Sequence, residues 1–181
     1  MKKFWKNNHG TVAPLVALML PVILIFGAFT IEAGNTYVRI SQLNHLAHQS
    51  ANSGLLAFAD IITTEAEKNH QAQCNGEIIP TICSSNNPFD FLDYNEIQSL
   101  ALQPNTQITV QNNVNKFATD NDPTSKITSD QIKIRLPDDI SPQKIFLRVQ
   151  ITESITMILP QFLQLGDDEI SIEALASLPI R

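Results

Sequence analysis

The residues able to do chemistry are few and scattered along this chain of 181 residues. Its four histidines, His9, His45, His48 and His70, form no His-Glu-x-x-His pair. His45 and His48 share a helix face at three-residue spacing, which two metal ligands can use, but exposed polar helix positions explain them more simply. Cys74 and Cys83 have eight residues between them and can close a short disulfide loop in an oxidising compartment. The alternatives are two free thiols, or a zinc site for which His70 is the only nearby further ligand. Asp120-Asn-Asp122 begins like a calcium loop, but Ser125 stands where glycine is needed and Gln131 where a bidentate glutamate closes the site. The better reading is a solvated polar loop. The chain has no Gly-x-Ser-x-Gly elbow and no phosphate loop. No catalytic residue, cofactor or metal is therefore expected, and the chain does not read as an enzyme.

Charge points the same way. Formal net charge is −6, unevenly placed. Lys2, Lys3 and Lys6 open the chain, whereas all 18 acidic residues lie from Glu32 onward, against nine Lys and Arg. So acidic a body repels phosphate backbones, and nucleic acid is not expected as a partner.

The element that organises the molecule is apolar. Thr11 to Ile31 carries no charge, and Val12–Ile31 is a run of 20 residues. As a helix it reaches about 30 Å, the thickness of a bilayer hydrocarbon core. A buried core helix in so small a domain would show a polar face. Pro14 falls in the first turn, where a missing N–H costs little. Pro21 is mid-span and predicts a kink, tolerated in membranes when the freed carbonyl finds another partner. The three lysines, with Phe4 and Trp5 among them, precede the span, and Glu32 then Arg39 follow it. The positive-inside rule then puts the N-terminus in the cytoplasm and the body outside. A cleaved signal peptide is the competitor, but its apolar stretch is about 7–15 residues and ends in a small-x-small site. The sites near Ala28 and Ala33 fit that poorly. Glu32, at the expected membrane edge, is either a flank residue or one half of a salt bridge to a neighbouring subunit.

Helical spacing continues past the span. Tyr37, Ile40, Leu43, Ala47, Ser50, Gly54, Ala57 and Ile61 recur at three and four residues. The middle of this stripe, Ala47, Ser50, Gly54 and Ala57, is small enough to admit a closely packed element. That element is either the protein's own sheet or a partner helix. With no proline between Pro21 and Pro80, one long helix from about residue 11 to about residue 70 is expected.

These residues carry a resemblance. Gly10-Thr-Val-Ala-Pro-Leu-Val-Ala-Leu-Met-Leu-Pro21, Gly27, Glu32-Ala-Gly34, Tyr37, Arg39, and then Ala47 and Ala51 together resemble the N-terminal region of TadE/TadG-like proteins. These are membrane proteins of the tight-adherence (Flp) pilus assembly system. The likeness covers about residues 9–57. It implies a membrane-anchored structural or assembly component with a pilin-like layout. It also implies the bacterial inner membrane as location, and as partners the lipid bilayer, other pilus-assembly membrane proteins or pilins, and a second copy of the chain. There are departures. His48 stands where such proteins commonly have Asp in an Ala-rich helix. Leu15 stands where processed pseudopilins carry Glu, five residues after the cleaved glycine, so Gly10 is not expected to be cut. The metal-binding Asp-x-Ser-x-Ser of longer TadG-like chains is missing. The competing expectation is a membrane-tethered periplasmic enzyme or ligand-binding protein.

The rest reads as a small α+β domain. Strands are predicted at Thr106–Val110, Gln131–Leu136, Lys144–Ile151 and Glu169–Leu175. The second and third should form an antiparallel hairpin across a turn at Pro137–Pro142. The last resembles the alternating, Ala-containing strand that often ends TadE/TadG-like proteins. A helix is predicted at Ser154–Leu165 and a polar loop at Asn112–Asp130. The expected class is α+β: a single transmembrane helix running into a long helix packed on a small, mainly antiparallel sheet. The expected organisation is a cytoplasmic tail at 1–10, the span at 11–34, the extended helix at 35–70 and an extracytoplasmic α+β domain at 71–181.

Overall fold

One helix, α1, runs from His9 to Cys74 over 66 residues. The structure, a computed structural model, describes residues 9–74, 91–138, 140–141, 144–155 and 168–179. Helix α1 continues through Pro21, and beyond it the stretch without proline carries the helix to Cys74, as expected. Contacts divide the chain into two units, one comprising residues 1–40 and 154–168, the other 41–153 and 169–181.

In the first unit the described residues belong mainly to the apolar part of α1. Side chains from Leu15 to Ile31 are exposed throughout, with Leu18 at 75% and Phe26 at 67%. Among the described residues this is the one helix long and apolar enough to cross a membrane. Thr30 donates its hydroxyl to the Phe26 carbonyl at 2.8 Å, so the hydroxyl is satisfied within the helix.

The second unit is α+β. Beyond α1 it holds α2 (Tyr94–Ala101), α3 (Pro104–Asn121), a 3₁₀ turn at Ser129–Gln131, and strands β1 (Ile132–Arg135), β2 (Ile140–Ser141), β3 (Lys144–Ile155) and β4 (Asp168–Pro179). Strand β3 pairs with β1, β2 and β4. The β1–β3 pairing is antiparallel, with Ile132 opposite Ile151 and Ile134 opposite Val149, as the alternation predicts. Ile140 lies opposite Ile145. The stretch from Arg135 to Ile140 therefore carries two more residues than the facing stretch of β3, a bulge that holds Pro137, which has no N–H to donate. Gln150 meets Ser171 and Arg148 meets Glu173. Two steps back in β3 match two steps forward in β4, which is the antiparallel sense.

Alternation separates the two faces of β3. Ile145, Leu147, Val149, Ile151 and Glu153 are buried, and the residues between them are not. Leu43, Leu46, Ala47, Ala51, Leu55, Phe58, Ile62 and Ala66 of α1 join the same core, with Ile97 of α2 and Val110, Val114 and Ala118 of α3. Full burial of each large side chain stabilises by roughly 1.5–3 kcal/mol.

Four expectations need correction. Thr106–Val110 is not a strand but lies inside α3. Its β-branched residues alternate locally, yet Thr106, Val110, Val114 and Ala118 are buried every fourth residue, and Pro104 at the helix start supplies a fixed φ. Asn112–Asp130 is not one loop, since α3 holds it to Asn121. Ser154 and Ile155 end β3 rather than start a helix, and the remainder of that expected helix lies outside the described residues. The expected turn at Pro137–Pro142 contains the short strand β2. Helix α2 was not anticipated, although Asp93-x-x-Glu96 spells a capping box. Asp93 Oδ1 accepts from Asn95 N at 3.0 Å, and the Asp93 N–H donates to Glu96 Oε2 at 2.8 Å.

Candidate functional site

The small-residue seam of α1 is filled from within the chain. Ala47 and Ser50 are fully buried and Gly54 is buried with them. A Cβ on Gly54 would stand 2.6 Å from both Leu147 Cδ2 of β3 and Val114 Cγ2 of α3, and 3.4 Å from Val110 Cγ1. Only a residue without a side chain lets β3 and α3 approach α1 this closely. Ala57 is half-buried, and the buried line passes instead through Phe58 and Ile62. The α-helical period of 3.6 explains the drift, because a strict three-four reading of the sequence slips by one position over several turns. Gly27 and Gly34 have nothing within 4 Å of a Cβ.

The other residues singled out by type are dispersed. Glu32 is half-buried on α1 and has a polar interaction within the chain. His45 and His48 are exposed, with His45 Nε2 2.8 Å from Gln49 Nε2. His70 packs edge-on against Phe91, with centroids 4.5 Å apart. No group of three potential metal ligands occurs among the described residues. Cys74, the last residue of α1, is disulfide-bonded, while Cys83 lies outside the described residues. Asp122 organises its own loop. Its carboxylate accepts from Thr124 N at 3.1 Å, Thr124 Oγ1 at 3.0 Å, Lys126 N at 2.8 Å and Ile127 N at 3.1 Å. Those oxygens are spent on three backbone N–H groups and the Thr124 hydroxyl, the pattern of a self-contained polar turn. Ser125 takes the left-handed backbone there, with φ 52°, in the place where a calcium loop would have glycine.

The outer face of the sheet holds an ion cluster that sequence reasoning missed. Arg148 on β3 donates from Nε and Nη2 to the two oxygens of Asp138, each at 2.9 Å, and from Nη1 to Glu173 Oε2 of β4 at 2.7 Å. These bonds, first those from Asp138, push the Arg148 pKa up, so the guanidinium stays charged. Beside it opens a recess of about 380 Å³, lined by Gln111, Ile132, Lys133, Ile134, Arg135, Arg148, Gln150 and Glu173. The visible signal was the alternation Lys133/Arg135 on β1 against Arg148/Gln150 on β3, whose polar positions share the face away from the core.

The free edge of β1 is covered by α3. Gln107 Nε2 donates to the carbonyls of Ala101 and Leu136. One turn on, Gln111 Nε2 reaches the Ile132 carbonyl at 3.4 Å. Two glutamines at i, i+4 thus satisfy carbonyls of a strand edge that would otherwise invite another strand.

Comparison with protein-family models, characterised proteins and solved structures gives no match to this chain.

Proposed function

We propose that the chain is a single-pass inner-membrane protein, with its N-terminus cytoplasmic and its sheet domain outside. In this reading it is a structural or assembly component of a Tad (Flp) pilus or a related envelope secretion machine. The carrying observation is that one unbroken helix has two unlike parts. Residues 15–31 leave their apolar side chains exposed, whereas Leu43 to Ala66 give theirs to the core. An apolar surface of that extent marks an interaction site, and its length suits a bilayer. The basic start, the acid-x-Gly after the span and the Leu-Pro inside it support the pilus reading through the resemblance described above.

The pilin-like layout gives the mechanism. The span anchors the chain and packs against neighbouring helices, and the domain meets partners outside. Because Gly54 is occupied by Val114 and Leu147, intermolecular helix packing falls to the span and its edge, where Gly27 and Gly34 are open.

Two measurements test the reading. Full-length protein should stay with membranes through alkaline carbonate extraction, and its intact mass should show no cut at Gly10. A soluble fragment starting near Gly34 overturns the anchor. Affinity capture from crosslinked membranes should recover pilin subunits or pilus-platform proteins, and recovery of none of them overturns the pilus role. The recess on the sheet favours a second reading, a tethered ligand-binding protein.

A further inference from the structure

We propose that the recess on the outer face of the sheet is a binding site for a small oxyanion, a free molecule bearing a carboxylate or phosphate, held between Lys133 and Arg135.

The charge distribution singles out this place. From Glu32 onward acids outnumber bases by 18 to nine, yet three of those nine, Lys133, Arg135 and Arg148, line one recess. Arg148 is not the binding cation. Three of its five N–H groups, one on each nitrogen, are committed to Asp138 and Glu173 at 2.7–2.9 Å, which fixes the guanidinium in place. Three cations stand against the two carboxylates Asp138 and Glu173 here, a local net charge of about +1 in an acidic body, and the carboxylate oxygens nearest Arg148 already accept from it. Arg135 comes no nearer to Asp138 than 3.9 Å, to an oxygen already bonded to Arg148, and its side chain is 75% exposed. No ion pair among the described residues involves Lys133.

Geometry matches an oxyanion. Lys133 and Arg135 are two residues apart on one strand and so lie on the same face, about 7 Å apart at their Cα atoms. Both side chains are long enough to converge on one group between them, the guanidinium offering two parallel N–H bonds and the ammonium a point charge. Glu173 lies on β4, with β3 between it and β1, roughly 10 Å away at the backbone. Its carboxylate sets the far wall and disfavours polyanions, so a single carboxylate or phosphate on the β1 side is the ligand that fits. Gln111 and Gln150 line the remaining walls, and their side-chain N–H groups already have acceptors in Asn115 and Ser171. Their carbonyl oxygens can accept from a hydroxyl on the same ligand. All these residues lie in the second unit, so the site requires neither the membrane nor a pilus.

The test uses the full chain in non-ionic detergent at low salt, titrated calorimetrically with inorganic phosphate and, separately, with lactate, a monocarboxylate that carries a hydroxyl. Saturable one-to-one binding of at least one is expected. Lys133→Gln and Arg135→Gln should each weaken it about tenfold to a hundredfold, the effect of losing one charge-assisted contact. Lys126→Gln, an exposed cation on another loop, should leave it unchanged. Thermal melts of the variants should match wild type, since both side chains are at the surface, and this separates lost binding from lost folding. The proposal is overturned if neither anion binds wild type at millimolar concentration. It is equally overturned if the Lys133→Gln/Arg135→Gln double variant binds as well as wild type, or if Lys126→Gln loses as much.

Discussion

Gly54 of α1 and Leu147 of β3 approach so closely that a Cβ on the glycine would stand 2.6 Å from Leu147 Cδ2. Glycine inside a helix costs about 1 kcal/mol relative to alanine, so its place here is explained by packing. Gly54→Leu should destabilise the full chain by at least ~1–3 kcal/mol, the usual cost of overpacking. Gly54→Ala should lose less, because improved helix propensity offsets part of the clash with Leu147 and Val114. Chemical denaturation in detergent reads both, and a Gly54→Leu protein as stable as wild type would refute the packing.

Gln107 ties α3 to the end of β1. Truncation to alanine leaves the Ala101 and Leu136 carbonyls, both of buried residues, without their donor. The expected loss is ~1–3 kcal/mol, against less than about 0.5 kcal/mol for Asn112→Ala on the exposed side of the same helix. Equal losses for the two variants would show that the glutamine is dispensable. The edge argument adds a second readout, in that Gln107→Ala should aggregate faster on warming.

Cys74 is disulfide-bonded at the end of α1, and Cys83 is the chain's other cysteine. Untreated protein should resist thiol alkylation and take up two labels after reduction. With a loop this short, Cys74→Ser should cost roughly 2–3 kcal/mol. Rapid labelling without reductant would contradict both the bond and an extracytoplasmic domain.

Asp130 gives a pH signature. Its carboxyl is held below the ordinary aspartate value, first by the Thr128 side chain and then by a backbone N–H. A depressed folded-state pKa contributes stability above the unfolded-state value and loses it as pH falls through the lower, folded-state value. Thr128→Val should raise the Asp130 midpoint toward the ordinary one, read by carboxyl carbon NMR. An unmoved midpoint would remove Thr128 as the cause. Asp130 is exposed, so the titration is a sharper reporter than global stability.

What the amino-acid order determines alone is whatever depends on composition over a long window or on strict local period. The uncharged run from Thr11 to Ile31 specifies an apolar helix whatever surrounds it, and the absence of proline from 22 to 79 lets that helix run on. Ile145, Leu147, Val149 and Ile151 specify a half-buried strand because their period is two. The tertiary structure decided what short, ambiguous segments become. Thr106-Gln-Ile-Thr-Val110 has the residues of a strand, but burial of Thr106, Val110, Val114 and Ala118 along one helical stripe overrides β-propensity. It also decided that the seam of α1 faces β3 and α3 rather than another molecule, since a small surface records only that something approaches. The recess was beyond local reading for the same reason. Lys133 and Arg135 are close in sequence, but Asp138 and Glu173 are drawn to Arg148 only when β3 is set beside β1 and β4. Which cation the two carboxylates hold follows from that pairing.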